Sequence, residues 1–329
     1  MCKRSAILLS LLAACAWCAG GERDDSPKPT AKAATSMTTT PGTSIEVIDE
    51  SFRKVLLPDS ALRMIADGFK FTEGPAWLDE DKSLLFSDIP ADTIFRWDPV
   101  KGLSVFRKPS HNSNGNTVDI DGRLVTCEHG SRTVTRTEKD GKVTTLAARY
   151  NGKRLNSPND VVVKGDGTIW FTDPPYGIKP DQAEQPANYV FRLDPNATEP
   201  VPVAEDFTRP NGLCFSPDEK LLYVANSDGK FHHVRVFNVK KDNTLEGGKV
   251  FATISPGAPD GMRVDKDGRL WSTAGDGLHV FNTEGKLIGK IKTPKTAANC
   301  TFGGKDHKTL FITANTTVWA IDLAVAGAK

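Results

Sequence analysis

The segment Asn159-Asp-Val-Val-Val-Lys-Gly-Asp-Gly-Thr-Ile-Trp-Phe-Thr-Asp173 reads as two short apolar strands joined at Asp166-Gly167. β-Branched and aromatic residues suit a pleated, half-buried surface, and Asp-Gly suits a tight hairpin turn. The same template recurs five more times. Glu73-Gly-Pro-Ala-Trp pairs with Leu84-Leu-Phe-Ser-Asp, and Asn114-Gly-Asn-Thr-Val with Leu124-Val-Thr-Cys-Glu. Asn211-Gly-Leu-Cys-Phe pairs with Leu222-Tyr-Val-Ala-Asn, Asp260-Gly-Met-Arg-Val with Leu270-Trp-Ser-Thr-Ala, and Asn299-Cys-Thr-Phe with Leu310-Phe-Ile-Thr-Ala. An acidic residue marks the turn at a similar offset each time: Glu80, Asp121, Asp166, Asp218, Asp267 and Asp306.

The six starts lie 41, 45, 52, 49 and 39 residues apart, the length of a four-stranded propeller blade. A third strand follows in every unit, from Thr93-Ile-Phe-Arg-Trp to Val318-Trp-Ala-Ile, and helical periodicity is nearly absent. The fold class is therefore all-β, a six-bladed β-propeller; a shared register across six units disfavours two separate β domains. The sixth unit ends soon after Ile321-Asp-Leu and lacks a fourth strand. Ser60-Ala-Leu-Arg-Met-Ile-Ala66, ahead of the first unit, can supply it and so close the ring.

The innermost strands of a propeller line its axis, so equivalent positions form rings. The first ring reads Glu73, Asn114, Asn159, Asn211, Asp260 and Asn299. Two carboxylates among carboxamides make a hard, all-oxygen site suited to one divalent cation. Calcium is the first expectation, with zinc, magnesium and manganese as alternatives. Acids and amides also cap strand entries, and for Asn114 and Asn299 that reading stays open. Glu is not a turn residue, so Glu73 argues for a site. Second strands end on the same face, which gives a wider ring of Asp88, His129, Asp173, Asn226, Ala274 and Ala314. Asp173, His129 and Asn226 are candidate substrate contacts. His232 and His233 point to opposite faces of a strand and cannot chelate together. His111, His279 and His307 read as surface residues.

The remaining features bound the class. Basic and acidic residues number 42 and 41, for a net charge of +1, which argues against a nucleic-acid partner. Residues 1–20 read as a signal peptide: Lys3 and Arg4 precede an apolar run too short to span a bilayer. Within it, Leu12-Ala13-Ala14-Cys15 resembles a bacterial lipobox, with Cys15 the residue to be lipidated; an ordinary secretory signal is the alternative. Residues 21–45, rich in Ser, Thr, Pro, Ala and Lys, read as a flexible linker, and 46–329 as the propeller. Export to the periplasm, or to the outer membrane as a lipoprotein, follows, and the lipid anchor is the expected membrane attachment. Cys127, Cys214 and Cys300 each stand alone in an apolar run and read as buried free thiols.

Several of these motifs together resemble the senescence marker protein (regucalcin) and gluconolactonase family. They are Phe71-Thr-Glu-Gly-Pro-Ala-Trp, Ser157-Pro-Asn-Asp-Val, Phe171-Thr-Asp-Pro-Pro-Tyr-Gly, Arg209-Pro-Asn-Gly-Leu and Pro259-Asp-Gly-Met. Cys127-Glu-His with Arg132 and Arg136, and Asn299-Cys-Thr-Phe-Gly-Gly, are similar to the bacterial gluconolactonase-like branch. The resemblance, over about residues 60–323, implies lactone hydrolysis with a bound divalent metal. It implies Glu73, Asn211 and Asp260 as metal ligands, Asp260 also as acid/base, and Asn159 as a substrate or metal contact. Asp160 is expected to support the ligands without touching the cation. Ser157 stands where regucalcin-like members carry an Arg, which bears on sugar-acid preference but not on the reaction class.

The expected activity is thus a metal-dependent lactonase acting on a small sugar lactone, with water attacking and Asp260 taking its proton. There is no Gly-x-Ser-x-Gly elbow and no Ser on the first ring, which disfavours an acyl-enzyme. His129, Arg132 or Arg136 could meet the product carboxylate, and the polar insertion 178–188 is expected to overhang the pocket. A metal-dependent phosphotriesterase and a non-catalytic binding propeller with a structural calcium are the alternatives.

Overall fold

The computed structural model describes residues 41–328 and the two-residue strand Thr30–Ala31. The signal segment, Cys15 and most of the expected linker lie outside the described residues. Each repeat folds into one blade whose strands run antiparallel from axis to rim. Blade 1 contains Thr72–Leu78, Ser83–Asp88, Thr93–Asp98 and Gly102–Arg107; blade 2 contains Ser113–Val118, Leu124–Glu128, Thr133–Thr137 and Val143–Ala147. Blade 3 contains Val161–Val163, Ile169–Asp173, Asn188–Leu193 and Val201–Phe207; blade 4 contains Pro210–Phe215, Leu221–Ser227, His232–Val239 and Leu245–Thr253. Met262–Val264, Leu270–Ala274, Gly277–Phe281 and Leu287–Lys292 make blade 5, and Asn299–Gly303, Thr309–Ala314 and Thr317–Asp322 begin blade 6.

The ring closes as the sequence suggests. Arg63–Asp67 pairs antiparallel with Thr317–Asp322 as the fourth strand of blade 6, and Arg63 Nη1 meets Asp322 Oδ2 at 2.7 Å. The outer face of the last internal strand is thereby paired rather than left as an open edge. Ser44–Val47 adds a fifth strand to blade 5 against Leu287–Lys292 and takes in the last two residues of the segment read as a linker. A 3-10 turn, Glu50–Val55, follows and buries Phe52 and Val55.

The second strands Ser83–Asp88, Leu124–Glu128, Ile169–Asp173 and Leu270–Ala274 are buried along their whole length, because each blade is covered on both faces. Aromatic side chains fill the wedges between blades. Trp77 of blade 1 stacks on Phe311 of blade 6 at 5.4 Å, Trp170 of blade 3 meets Phe215 of blade 4 at 5.4 Å, and Trp271 meets Phe302 across blades 5 and 6 at 5.7 Å. Such pairs supply burial plus edge or stacking attraction. Cys127, Cys214 and Cys300 are buried free thiols, and burial holds them protonated, Cys300 up to about 12. Among the described residues no helix is long and apolar enough to cross a membrane.

Candidate active site

The six first-ring residues sit where their strands reach the axis, packed against the neighbouring blade. A Cβ at Gly74 would lie 2.0 Å from the Asn114 carbonyl oxygen, and one at Gly212 would lie 2.1 Å from that of Asp260. Glycine after the ring residue is therefore what lets one blade's ring backbone touch the next. Blades 3 and 6 depart from this: Cys300 follows Asn299, and Asp160 follows Asn159 and sends a carboxylate into the packed axis.

The ring side chains touch in sequence. Asn114 Nδ2 donates to Asn159 Oδ1 at 2.7 Å, and Asn159 Nδ2 to Asn211 Oδ1 at 2.6 Å. The Asn211 side chain in turn hydrogen-bonds the Asp260 carboxylate. On the other side Asn299 Nδ2 donates to Glu73 Oε2 at 3.2 Å, which also accepts from the Gly74 N–H at 2.8 Å. Asn114 and Asn299 thus spend their amide groups on the ring itself. Thr172, Ser87 and Thr313 brace it from the second strands by donating hydroxyls to the carbonyls of Asn211, Asn114 and Asn299.

Charge is concentrated at this point. Burial raises the Glu73 carboxyl to about 7, with the Asp160 charge adding to it and the Gly74 N–H, Asn299 and Arg263 opposing. Burial and then the charges of Glu73 and Asp160 push Asp260 well above the usual carboxylate range. Asp160 is raised chiefly by burial, and its Oδ2 makes no hydrogen bond. Two carboxylates, Glu73 and Asp260, beside amide oxygens are donors whose chemistry suits a hard divalent cation, and the Asp160 charge adds to the negative field there. Glu73, Asp260, Asn159 and Asn211 are the groups that would hold it. Ligation through the two amides would replace their present hydrogen bonds.

The wider ring divides in two. His129 belongs to the site: its Nε2 lies 3.3 Å from Asn114 Nδ2, and burial lowers its pKa to about 4, leaving the imidazole neutral. Asp173 does not, and its reading as a substrate contact is corrected. It is fully buried, and its two oxygens accept the backbone N–H groups of Asn156 and Ser157 at 2.7 and 2.8 Å. Asp88 does the same for Lys70 and Phe71, and Asn226 for Arg209. In blades 1, 3 and 4 the chain entering the inner strand has N–H groups that the facing strand end satisfies.

Arg132 is buried at the blade 2 to blade 3 junction. Its Nε donates to the Leu155 carbonyl at 2.7 Å, Nη1 lies 3.4 Å from Glu184, and Nη2 has no hydrogen-bond partner. Arg136 is paired with Glu138 at 2.8 Å on the blade 2 surface. His279, read as a surface residue, is instead buried in blade 5 with Nε2 2.7 Å from Asp276.

The loop after Ile169–Asp173 lies against the site. Gly177 N donates to Ser157 Oγ at 2.8 Å, and a Cβ on Gly177 would fall 2.5 Å from His129 Cβ. Gln185 fixes the far part of the insertion by donating to the carbonyls of Tyr150, Lys153 and Arg154. The loop also carries Tyr176, which residue-by-residue reasoning passed over although its motif was in view. Its ring sits under the Arg209 guanidinium at 5.6 Å, and its hydroxyl is within range of Asp260, Asn211 and Ser227.

Comparison with known proteins follows these lines. Residues 71–316 match the family described as the SMP-30/gluconolactonase/LRE-like region. A gluconolactonase from Zymomonas mobilis is 33% identical over 292 residues, covering 80% of this chain and 82% of its own. A pentonolactonase from Haloferax volcanii is 25% identical, covering 76% of this chain and 84% of its own. Among solved structures, a gluconolactonase from Xanthomonas campestris superposes with a TM-score of 0.80 at 38% identity, covering 87% of this chain and 98% of its own. A calcium-binding regucalcin from Agrobacterium tumefaciens, at 19% identity and a TM-score of 0.66 over 79% of this chain and 92% of its own, shares the fold.

Proposed function

Because this chain belongs to the SMP-30/gluconolactonase/LRE-like family, we propose that it is a hydrolase of carboxylic ester bonds that opens a small sugar lactone with the help of one divalent cation. The observation that carries the reading is the continuous contact among Asn159, Asn211 and Asp260, with the Glu73 charge acting on Asp260 across the axis. Glu73, Asn159, Asn211 and Asp260 would hold the cation, calcium first. When bound it would supply the positive charge that polarises a lactone carbonyl.

The chain's own residues supply the rest. Asp260 takes the proton of the attacking water; burial and its neighbours' charge raise its proton affinity above that of an ordinary carboxylate, which favours a base. Asn211 orients that carboxylate through its hydrogen bond. Neutral His129 borders the mouth beside Asn114 and offers a hydrogen bond to the lactone, and Asn159 lies between Asn114 and Asn211 on the ring. Arg132, whose enclosed Nη2 has no protein partner, is the group proposed to turn toward the carboxylate released on ring opening. Asp160 supports the ligands electrostatically from the next position of blade 3. The leader read in residues 1–20 further supports export of the protein, with Cys15 as the lipid attachment point.

The test is hydrolysis of glucono-δ-lactone before and after chelation. Activity that disappears with chelator and returns with calcium is expected. A metal-loaded protein that hydrolyses phosphotriesters but no lactone would instead be a phosphotriesterase, and one that hydrolyses neither would be a binding propeller.

A further inference from the structure

We propose that Tyr176 is a specificity-determining substrate contact: its hydroxyl donates a hydrogen bond to a hydroxyl group of the lactone, so that the site prefers polyhydroxylated lactones over plain ones. The proposal rests on the lactonase reading given above. It starts from how firmly the loop is placed. Asp173 accepts the Ser157 N–H, and Ser157 Oγ accepts the Gly177 N–H at 2.8 Å. At Gly177 any side chain would strike His129 and Ser157, so the backbone beside Tyr176 lies directly on the wall of the site. Arg209, two residues before Asn211, covers the ring of Tyr176 at 5.6 Å and limits how it can turn.

Held in this way, the side chain has two different ends to face. It keeps 36% of its surface exposed, although its hydroxyl lies within range of Asp260 and of the Asn211 and Ser227 side chains. A phenol is protonated at neutral pH and both donates and accepts. At the edge of a ring made of acceptor carboxylates and amides, a neutral donor beside the base complements a hydroxyl-bearing substrate. An ester carbonyl without neighbouring hydroxyls would leave that donor unused.

Tyr176→Phe removes the hydroxyl and keeps the ring under Arg209. With saturating calcium, KM for glucono-δ-lactone should rise roughly three- to tenfold, the loss of one hydrogen bond, with kcat within about twofold. Kinetics on δ-valerolactone, which has no hydroxyls, should not change. Calorimetry with the unreactive glucono-δ-lactam and with δ-valerolactam gives the same comparison without turnover. The wild type should prefer the hydroxylated lactam, and Tyr176→Phe should lose that preference. Equal effects on both substrates, an unchanged KM, or a wild type with no preference between the lactams would each overturn the proposal. A wild type that hydrolyses no lactone, yet shows a Tyr176-dependent lactam preference, would overturn the functional reading and leave this contact standing.

Discussion

Asp260 and Asn211 hydrogen-bond each other, yet the proposed chemistry asks different things of them. Asp260→Asn keeps an oxygen of similar size and removes both the negative charge and the proton acceptor. Loss of general-base help typically costs a hundred- to ten-thousandfold in rate, so kcat should fall by about that much even at saturating metal. Asn211→Ala removes one neutral ligand, and added metal should restore much of its activity. Measuring both variants across a calcium titration separates a base from a ligand. If metal rescues Asp260→Asn as fully as Asn211→Ala, Asp260 only holds the cation. Asp173 offers no second base, because the Asn156 and Ser157 amides occupy its oxygens.

In blades 1 and 3, the second strand caps the chain entering its own inner strand and braces the inner strand of the next blade. Thr172 donates to the Asn211 carbonyl one residue before Asp173 caps the chain that leads to Asn159. Asp173→Ala would leave two buried N–H groups unsatisfied. At about 1–3 kcal/mol for each, the cost should be roughly 2–6 kcal/mol of folding stability. Urea unfolding should show the loss as a lower midpoint with little change in slope. Asp173→Asn keeps one acceptor and should be milder. An Asp173→Ala protein as stable as the parent would show that water replaces the cap. The 3-10 turn Pro180–Gln182 and Gln185 then hold the longer insertion of blade 3 against the Tyr150–Arg154 hairpin, which positions Tyr176 and Gly177 beside the ring.

At the scale of the molecule, closure comes from the N-terminal side. Arg63–Asp67 completes blade 6, Thr30–Ala31 pairs along its outer edge, and Ser44–Val47 thickens blade 5, so these N-terminal segments lie at the rim of the propeller. The proposed lipid on Cys15 would tether the domain through the residues that precede Thr30. If Cys15 carries a lipid, the native protein should sediment with membranes and Cys15→Ser should be released or remain unprocessed. Equal partitioning of the two forms would leave only an ordinary secretory signal.

Periodicity carries far in this chain because a propeller repeats one hairpin template at one register, and each copy must present the same face to the axis. Blade number, the closing strand and all six members of the first ring were legible for that reason, as were Glu73 and Asp260 as the carboxylates among the amides. The meaning of the second ring was not legible. Asp88, His129, Asp173 and Asn226 occupy equivalent positions in sequence, but whether a side chain there turns toward the axis or back to cap a neighbour depends on which N–H groups lie unpaired nearby. His279 likewise reads as a scattered polar residue until Asp276, three positions back, folds over to meet it. Tyr176 is the sharpest case. It belongs to no repeat, and it sits beside the ring only because Ser157 and Arg209, from two other stretches of chain, converge on its loop. Repeats are a one-dimensional property that the sequence displays directly; side-chain direction in a non-repeating loop is decided by contacts that exist only after the blades have packed.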